Sequence, residues 1–259
     1  MRIATWNVNS VNARIDTVEA WLREHSPDVV CFQEIKCEEP KFPAPVFEAL
    51  GYNVAVWGQK SYNGVAILSK FPIGDVRRGL PGGGEEEQSR YIEAVIESPR
   101  PVRVGCIYLP NGNPIDTEKF PYKLAWMDRL RRHAADLLTL EESLVLCGDY
   151  NVIPEPTDAR NPQNWLKDAL FQPESRAAWR AMKGLGLAEA HEIAGEPAGT
   201  YTFWDYQAGA WRRDDGIRID HHFLSPQATD RFLGIETHRD ARDMEKPSDH
   251  VPVVIELAD

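Results

Sequence analysis

LVLCGDYNVIP, at residues 144–154, joins an apolar run to a polar turn. The run at 144–146 predicts a buried strand that ends near Gly148, and Pro154 stops it from continuing further. Asp149 and Asn151 are two positions apart, so their side chains face the same way if strand geometry persists. Together they could hold a water molecule and orient a phosphate oxygen. They could equally form an Asx turn that merely ends the strand, and the stretch alone favours this simpler interpretation.

Strands and helices alternate irregularly along the rest of the chain. We predict strands at 2–7, 28–33, 53–57, 64–69, 91–96, 102–108, 201–204, 218–224 and 250–257, and helices at 11–25, 45–50, 117–140 and 174–185. Residues 81–87 are a predicted loop, and residues 155–173 are predicted to be loop with short helices. Many strands are neighbours without an intervening helix, which favours an α/β fold with mixed sheets covered by helices. Without a long linker or repeat, we expect one domain over residues 1–259.

The composition indicates an intracellular globular protein. Of the 259 residues, 42% are hydrophobic, enough for a full core, and no apolar run approaches the ~20 residues of a membrane helix. The amino terminus runs directly into a strand and has no signal-peptide pattern. The cysteines form no CxxC pair, so we expect a reduced, cytoplasmic protein without a zinc site or disulfides. They are Cys31, Cys37, Cys106 and Cys147.

The net charge of −11 argues against a broad basic surface of the kind that binds nucleic acid non-specifically. Metal ligands could account for part of the negative charge. Local basic clusters occur at 77–78, 129–132 and 212–218. Each cluster taken singly is more simply explained as solvated surface charge.

Polar side chains recur where predicted strands end. Any one of them could be a turn, a cap or a salt-bridge partner, and a single histidine is more often structural than catalytic. Their repetition at strand ends is what suggests a site. The residues are Asn7, Asn9, Glu34, Tyr108, Asn111, Asp149, Asn151, Asp220, Asp249 and His250.

The oxygen-bearing side chains of this set suit a hard divalent cation. Asn7 and Glu34 offer the ligands that Mg²⁺ or Mn²⁺ prefers, and such ions also accept water and substrate phosphate. A bound ion can polarise a phosphoryl oxygen and stabilise a leaving oxyanion.

The remaining residues supply acid–base chemistry. Asp149 can orient or deprotonate an attacking water, and His250, held by a carboxylate such as Asp220, can donate to a phosphate oxygen where charge builds. Tyr108 and Asn151 can fix the phosphate geometry. Together with the cation site, these roles describe metal-assisted hydrolysis of a phosphodiester.

Eight motifs in a fixed order give the chain a family resemblance. It resembles the exonuclease III family of abasic-site endonucleases, within the DNase I-like metal phosphoesterases. No single motif is specific, but eight in order over nearly the whole chain are. The motifs are TWNVNS (5–10), CFQEIK (31–36), NGVAILSK (63–70), YLPNG (108–112), GDYNV (148–152), TFWDY (202–206), RIDHHFLS (218–225) and PSDHVPV (247–253).

The resemblance implies a four-layer α/β sandwich, in which two packed mixed β-sheets are flanked by helices. It implies a DNA repair enzyme that uses Mg²⁺ or Mn²⁺ to hydrolyse phosphodiesters 5′ to abasic sites in duplex DNA. It also implies 3′→5′ exonuclease and 3′-phosphatase or phosphodiesterase activity. The expected partner is duplex DNA with abasic sites or 3′ blocks, with no membrane, and the expected state is a monomer.

The resemblance also implies a role for each matching residue. Asn9 stands where some eukaryotic relatives carry an acid, which bears on the number and affinity of metal ions. The implied catalytic residues are Tyr108, Asp149, Asn151, Asp220 and His250; the implied metal ligands are Asn7, Glu34, Asp149, Asn151 and Asp249; the implied substrate-binding residues are Asn111, Phe203 and Trp204.

Other functions remain open at this stage. The same core could serve an inositol-phosphate or sphingomyelin phosphoesterase, although no membrane-binding segment is apparent. A catalytically silent DNA-binding protein would be expected to lack Glu34, Asp149 or His250, and all three are present. We expect Phe203 and Trp204 to line a pocket sized for a bare sugar; the alternative is that Trp204 only packs in the core.

Overall fold

The computed structural model describes residues 1–84 and 88–259. Within them the strands are β1 (Arg2–Asn7), β2 (Val29–Gln33), β3 (Asn53–Trp57), β4 (Val65–Ser69), β5 (Ile73–Arg78), β6 (Tyr91–Ile96), β7 (Val102–Tyr108), β8 (Leu144–Asp149), β9 (Ala188–Glu189), β10 (Asp220–Leu224), β11 (Phe232–Thr237) and β12 (Val253–Leu257). The α-helices are α1 (Ile15–His25), α2 (Ala44–Glu48), α3 (Lys119–Leu138), α4 (Pro173–Lys183), α5 (Ala190–Ala194) and α6 (Pro226–Thr229).

The strands form two six-stranded sheets. The first has the order β11-β12-β1-β2-β4-β3, and the second has the order β5-β6-β7-β8-β10-β9. In the first sheet β1 and β2 are parallel, in the second β7 and β8 are parallel, and the other described pairings are antiparallel. Both sheets are therefore mixed, as the irregular alternation of strands and helices predicts.

Three apolar clusters hold four layers together. The middle one joins the two sheets, with Ile67 of the first packing in the same cluster as Val104 of the second. On the outer face of the first sheet, Trp21 of α1 packs with Trp6 of β1. On the outer face of the second, a corresponding cluster contains Trp126 of α3. Helix, sheet, sheet and helix thus follow in order, and the predicted four-layer α/β sandwich is confirmed.

The register of the strands brings the predicted site residues to one end of the sandwich. In the second sheet, Asp149 at the end of β8 pairs with Tyr108 at the end of β7 and with Asp220 at the start of β10. In the first sheet, Asn7 at the end of β1 pairs with Gln33 at the end of β2. Because the carboxyl ends of parallel strands share an edge, polar residues placed there face a common space.

Some predicted elements differ from the structure. The predicted strand at 201–204 is wrong, because Phe203 makes only isolated bridges, to Ile217 and to His250, on two separate segments. The strands β5, β9 and β11 were not predicted; β5 and β11 carry exposed and half-buried residues rather than an apolar run, and β9 has only two residues. Helix α1 is shorter than predicted because residues 12–14 form a 3₁₀ turn.

Two further predictions concern the loop at 81–87 and the membrane. Residues 81–84 are exposed, while 85–87 lie outside the described residues. None of the helices described is long and apolar enough to cross a membrane. The four cysteines, Cys31, Cys37, Cys106 and Cys147, are free and buried.

Candidate active site

Asp149 lies at the centre of the site and is only 2% exposed. Its Oδ1 accepts from the backbone N–H of Asn151 (2.9 Å), and its Oδ2 accepts from the Nδ2 of Asn7 (3.0 Å). Burial raises the pKa of Asp149 to about 7. The positive charge of His250 opposes this rise, and the charges of Asp220 and Glu34 add to it. A carboxyl group poised near neutrality can accept a proton from an attacking water.

The turn after β8 combines the two interpretations of the sequence GDYN. Strand geometry does not persist, because Asn151 has a left-handed φ of 47°, and its backbone N–H bonds the carboxylate of Asp149 as in an Asx turn. The turn nevertheless presents the carboxylate of Asp149 to Asn7 of the other sheet. It is therefore an Asx turn that also brings the carboxylate of Asp149 to the junction of the two sheets.

Asn7 links the two sheets. Its fully buried amide donates to Asp149 and also to the Oε1 of Glu34 (2.8 Å), so both carboxylates face the same amide. The Oδ1 of Asn7 accepts from the backbone of Asn9 (3.0 Å). Lys36 lies 2.9 Å from the Oε2 of Glu34. Burial alone would raise the pKa of Glu34, but Lys36 and the bond from Asn7 hold it below its usual value, so Glu34 is ionised.

His250 and Asp220 form a buried pair beside Asp149. The Nδ1 of His250 lies 2.9 Å from the Oδ2 of Asp220, and its Nε2 lies 3.7 Å from the Oδ2 of Asp149. Burial opposes a charged ring, but the charges of Asp220 and Asp149 outweigh it and raise the pKa of His250 to about 10. The ring is thus an imidazolium near neutral pH and can donate to an oxyanion.

Tyr108 and two amides form the wall on the second sheet. The guanidinium of Arg90 lies 4.7 Å from the centroid of the Tyr108 ring. Burial, reinforced by the charge of Glu34, raises the pKa of Tyr108 far above its usual value, so its hydroxyl remains a donor. The Nδ2 of Asn111 donates to the Oδ1 of Asn151 (3.2 Å), whose own Nδ2 donates to a backbone carbonyl (2.9 Å).

Asp249 stands on the opposite rim and is half-buried. Its Oδ1 accepts from the Nδ2 of Asn9 (3.2 Å), and Ser248 fixes the segment by donating its hydroxyl to the backbone carbonyl of Asn7 (2.6 Å). The amide at Asn9 therefore occupies the space between the first strand and Asp249.

Comparison with known proteins places this geometry in a family. The model of the endonuclease/exonuclease/phosphatase family matches residues 4–250. The chain belongs to this family. Exodeoxyribonuclease III from Haemophilus influenzae is 32% identical, with 99% of this chain and all of that protein covered. DNA repair nuclease APEX1 from Danio rerio is 30% identical, with 100% of this chain and 82% of that protein covered.

Solved structures of family members have the same architecture. An AP endonuclease from Archaeoglobus fulgidus is 37% identical with a TM-score of 0.93, over 99% of each chain. The 3′ phosphatase NExo from Neisseria, bound to a product DNA hairpin, is 35% identical with a TM-score of 0.95, over 99% of each chain. The predicted resemblance to the exonuclease III family and the predicted DNA repair nuclease function are confirmed.

Most of the predicted site residues of this nuclease come together. Hydrogen bonds or the close approach of His250 and Asp149 link seven of them directly, and Tyr108 and Asp249 lie at the same strand ends. The seven are Asn7, Glu34, Asn111, Asp149, Asn151, Asp220 and His250.

The predicted sugar pocket needs a correction at Trp204. The side chain is 0% exposed and packs in the outer cluster of the first sheet, with its ring 4.8 Å from that of Trp211, so it cannot line an open pocket. Its indole N–H donates to Asp214 (3.1 Å). Phe203 is half-buried, and its ring lies 5.0 Å from that of His250, so this residue does reach the site. Adjacent residues in an extended segment point to opposite sides.

Several residues of the site were missed from the sequence. Lys36 lies within the motif CFQEIK, so its position beside Glu34 could have been inferred. Ser248 lies within PSDHVPV. Lys123 gave no signal, because a lysine in a helix is common. Thr202 lies within TFWDY, so its place near the site could have been inferred. Thr202 accepts from the backbone of Asp220 (3.2 Å) and so helps to fix the carboxylate that holds the histidine.

The donor atoms at the centre fit a hard divalent cation. Among the described residues, no three His, Cys, Asp or Glu side chains form a ready metal-binding group. The carboxylates of Glu34 and Asp149 nevertheless converge on one amide. Carboxylate oxygens suit a hard divalent ion that keeps part of its hydration shell, and this family hydrolyses with a divalent ion.

Proposed function

We propose that this nuclease hydrolyses the phosphodiester bond 5′ to abasic sites in duplex DNA and uses Mg²⁺ or Mn²⁺. One observation carries the proposal. Asp149 shares the amide of Asn7 with Glu34 on one side and lies 3.7 Å from the imidazolium of His250 on the other. A proton acceptor, a cation-binding carboxylate and a charged donor thus meet at one point, which hydrolysis of a phosphodiester requires.

Each side chain of the site has a separate role in the reaction. Asp149 orients the attacking water and takes its proton, and His250, held by Asp220, donates to the phosphate oxygen that gains charge. Tyr108 donates through its protonated hydroxyl.

Glu34 would hold the cation, together with Asn7 and Asp249. Asn7 serves through its oxygen only if its amide turns over, because its nitrogen now faces the carboxylates. When bound, the ion polarises the phosphate and stabilises the leaving oxygen.

A cleft beside His250 supplies the place for a flipped sugar. It has a volume of about 390 Å³ and is lined by Phe203, Trp165, Asp168 and Arg213, among others. An abasic nucleotide lacks stacking and pairing and is therefore cheaper to extrude than a normal nucleotide. Phe203 contacts the sugar, Asn111 and Asn151 bind the phosphate, and Trp204 supports the segment from the interior.

Action at 3′ ends is proposed as a second activity of the same site. The Neisseria 3′ phosphatase and the Archaeoglobus AP endonuclease are nearly equally similar to this chain, at 35% and 37% identity. Removal of a 3′ nucleotide and of a 3′ phosphate both cleave a bond to phosphorus, which the same groups can serve. No described contact favours an inositol-phosphate or sphingomyelin substrate, and the complete acid–base set argues against a silent binding protein.

We further propose a monomer of one domain, working in a reducing cytoplasm. The four free, buried cysteines support a reducing compartment. The apolar cluster between the sheets draws on strands from both ends of the chain, which supports one domain.

One labelled duplex with a central abasic site tests the proposal. With Mg²⁺, we expect a single product cut at the site, and a chelator should abolish it. Shortening from the 3′ end would report exonuclease activity, and an intact duplex of the same sequence is the control. Asp149→Asn should bind the duplex but lose about 10²–10⁴-fold in kcat. Undiminished cleavage in chelator, or by Asp149→Asn, would contradict the proposal.

A further inference from the structure

Lys123 lies near the start of α3 and has an exposure of 0%. Its ammonium donates to two main-chain carbonyls, that of Asn111 (3.0 Å) and that of Asn151. The carboxylates of Asp149 and Asp168 act on the side chain of Lys123 through their charge, and no direct bond joins them to it among the described contacts. Lys123 is thus a buried amine whose hydrogen-bond partners are the backbones of two loops.

Such a residue is costly for the fold. Burial lowers the pKa of Lys123 to about 7, because the ammonium loses its hydration, and the two aspartates only partly oppose this effect. A methionine at the same place would fill the space without a charge to desolvate. The presence of a lysine is therefore better explained by what its three N–H donors bind than by core stability.

The two loops that Lys123 joins carry the phosphate-site amides. Asn111 follows β7, Asn151 follows β8, and their side chains are bonded to each other at 3.2 Å. At Gly112, φ is 91° and an added Cβ would lie 2.6 Å from the Cδ of Lys123, so the first loop passes directly over the lysine stem. Lysine, glycine and the two amides form one contiguous unit below the site.

We propose that Lys123 is a positioning residue that holds the Asn111 and Asn151 loops at the separation at which their amides meet the substrate phosphate. This inference rests on the proposed function. Lys123 does not touch the substrate; it acts through the two peptide groups. A misplacement of about 1 Å can cost on the order of 10²-fold in rate, so even a small relaxation of the loops should be measurable.

Lys123→Met tests the proposal by removing the donors and keeping most of the volume. We expect kcat on the abasic duplex to fall by on the order of 10²-fold, while KM and the melting temperature change little. Lys123→Gln keeps one donor group on a shorter stem and should retain more of kcat. It also serves as the second variant if Lys123→Met does not fold.

A matched control and a double mutant separate positioning from stability. His133→Gln alters another buried polar residue of α3, which contacts Glu93 far from the two loops, and should lower the melting temperature while keeping kcat. Because Lys123 acts partly through the Asn151 loop, Lys123→Met should cause a smaller loss of kcat in an Asn151→Ala background than in the wild type.

Two results overturn the inference while the proposed function stands. One is a wild-type kcat in Lys123→Met. The other is a loss of kcat on Lys123→Met that is as large in the Asn151→Ala background as in the wild type. If the wild type itself cleaves neither the abasic duplex nor 3′ ends, the proposed function fails and the inference fails with it.

Discussion

Asp220 and His221 are consecutive in β10, yet they belong to two different buried clusters. Asp220 holds His250 at 2.9 Å in the active-site pair. His221 faces the other side of the sheet and lies 3.3 Å from Glu189, which also contacts His191 (3.2 Å) and Arg218 (3.2 Å). We call Glu189, His191, His221 and Arg218 the interior cluster.

The two clusters contain the same kinds of groups but balance their charges differently. In the interior cluster, burial would raise the pKa of Glu189, but the two histidines and Arg218 hold it well below its usual range. In the active-site pair, the histidine faces a second carboxylate, that of Asp149, and carries the charge itself. A carboxylate whose hydrogen-bond partners and counter-charge, Arg218, are already in place is structural, whereas an imidazolium between two carboxylates can serve a developing anion.

The largest effect should come from breaking the active-site pair. We expect Asp220→Asn to lower kcat by on the order of 10²–10³-fold, because His250 loses both orientation and charge. The raised pKa of His250 means that its charged form is lost as pH rises through about 10. Removing Asp220 lowers that pKa, so the alkaline limb of the pH–rate profile should move to lower pH.

A double mutant with His250→Gln checks whether the two residues act together. The single and double variants should lose similar activity if Asp220 acts through His250. An alkaline limb at the wild-type position in Asp220→Asn would contradict this role.

Glu189→Gln breaks the interior cluster and should lower the stability of the fold without lowering activity. The variant removes one of the two carboxylate partners of the buried Arg218, which keeps Asp158 at 2.8 Å. Breaking a buried pair typically costs about 3–5 kcal/mol of the free energy of unfolding, and the remaining pair should hold this loss to the lower part of that range. Its kcat, measured well below the melting temperature, should stay at the wild-type level. Because the folded pKa of Glu189 is depressed, the wild type gains this stability above the unfolded pKa and loses it as pH falls through the folded value.

Urea unfolding at neutral pH measures this loss. Glu192→Gln is the matched control, since Glu192 forms a partly exposed pair with Lys183 (2.6 Å) and should change stability by about 1 kcal/mol or less. Equal effects of the two substitutions would mean that the interior cluster does not hold this part of the sheet.

This contrast also explains what the sequence could predict. The apolar runs before Asn7, Glu34, Tyr108 and Asp149 predicted the strands, and because parallel strands end at a common edge, they also predicted the site. The pattern DHH at 220–222 does not by itself show which residue faces the active site, because the partners come from segments distant in the chain. The family resemblance was needed to select Asp220.

Lys123 and Trp204 are two further examples of what local sequence patterns cannot predict. The role of Lys123 depends on how α3 meets two loops, which no local pattern contains. Trp204 of the motif TFWDY was expected to line a pocket together with Phe203, but it lies one position further along the chain and its side chain points to the interior. Periodicity predicts which residues share a face; only packing determines what that face meets.

The smallest effect concerns His222, which completes the comparison because it belongs to neither cluster. It is 0% exposed, and burial lowers its pKa to about 3, with a further lowering from His191. The folded protein therefore resists a proton that the unfolded chain accepts near pH 6.5, so stability falls as pH drops below that value.

Replacing His222 with leucine removes this loss of stability at low pH. We compare the free energy of unfolding of His222→Leu with that of the wild type at each pH. The difference should favour the variant by about 2 kcal/mol more at pH 5 than at pH 8. The measurement at pH 8, where both side chains are neutral, isolates any change in packing. If the difference between the two proteins is the same at both pH values, His222 accepts a proton inside the fold and the contrast with His250 is lost.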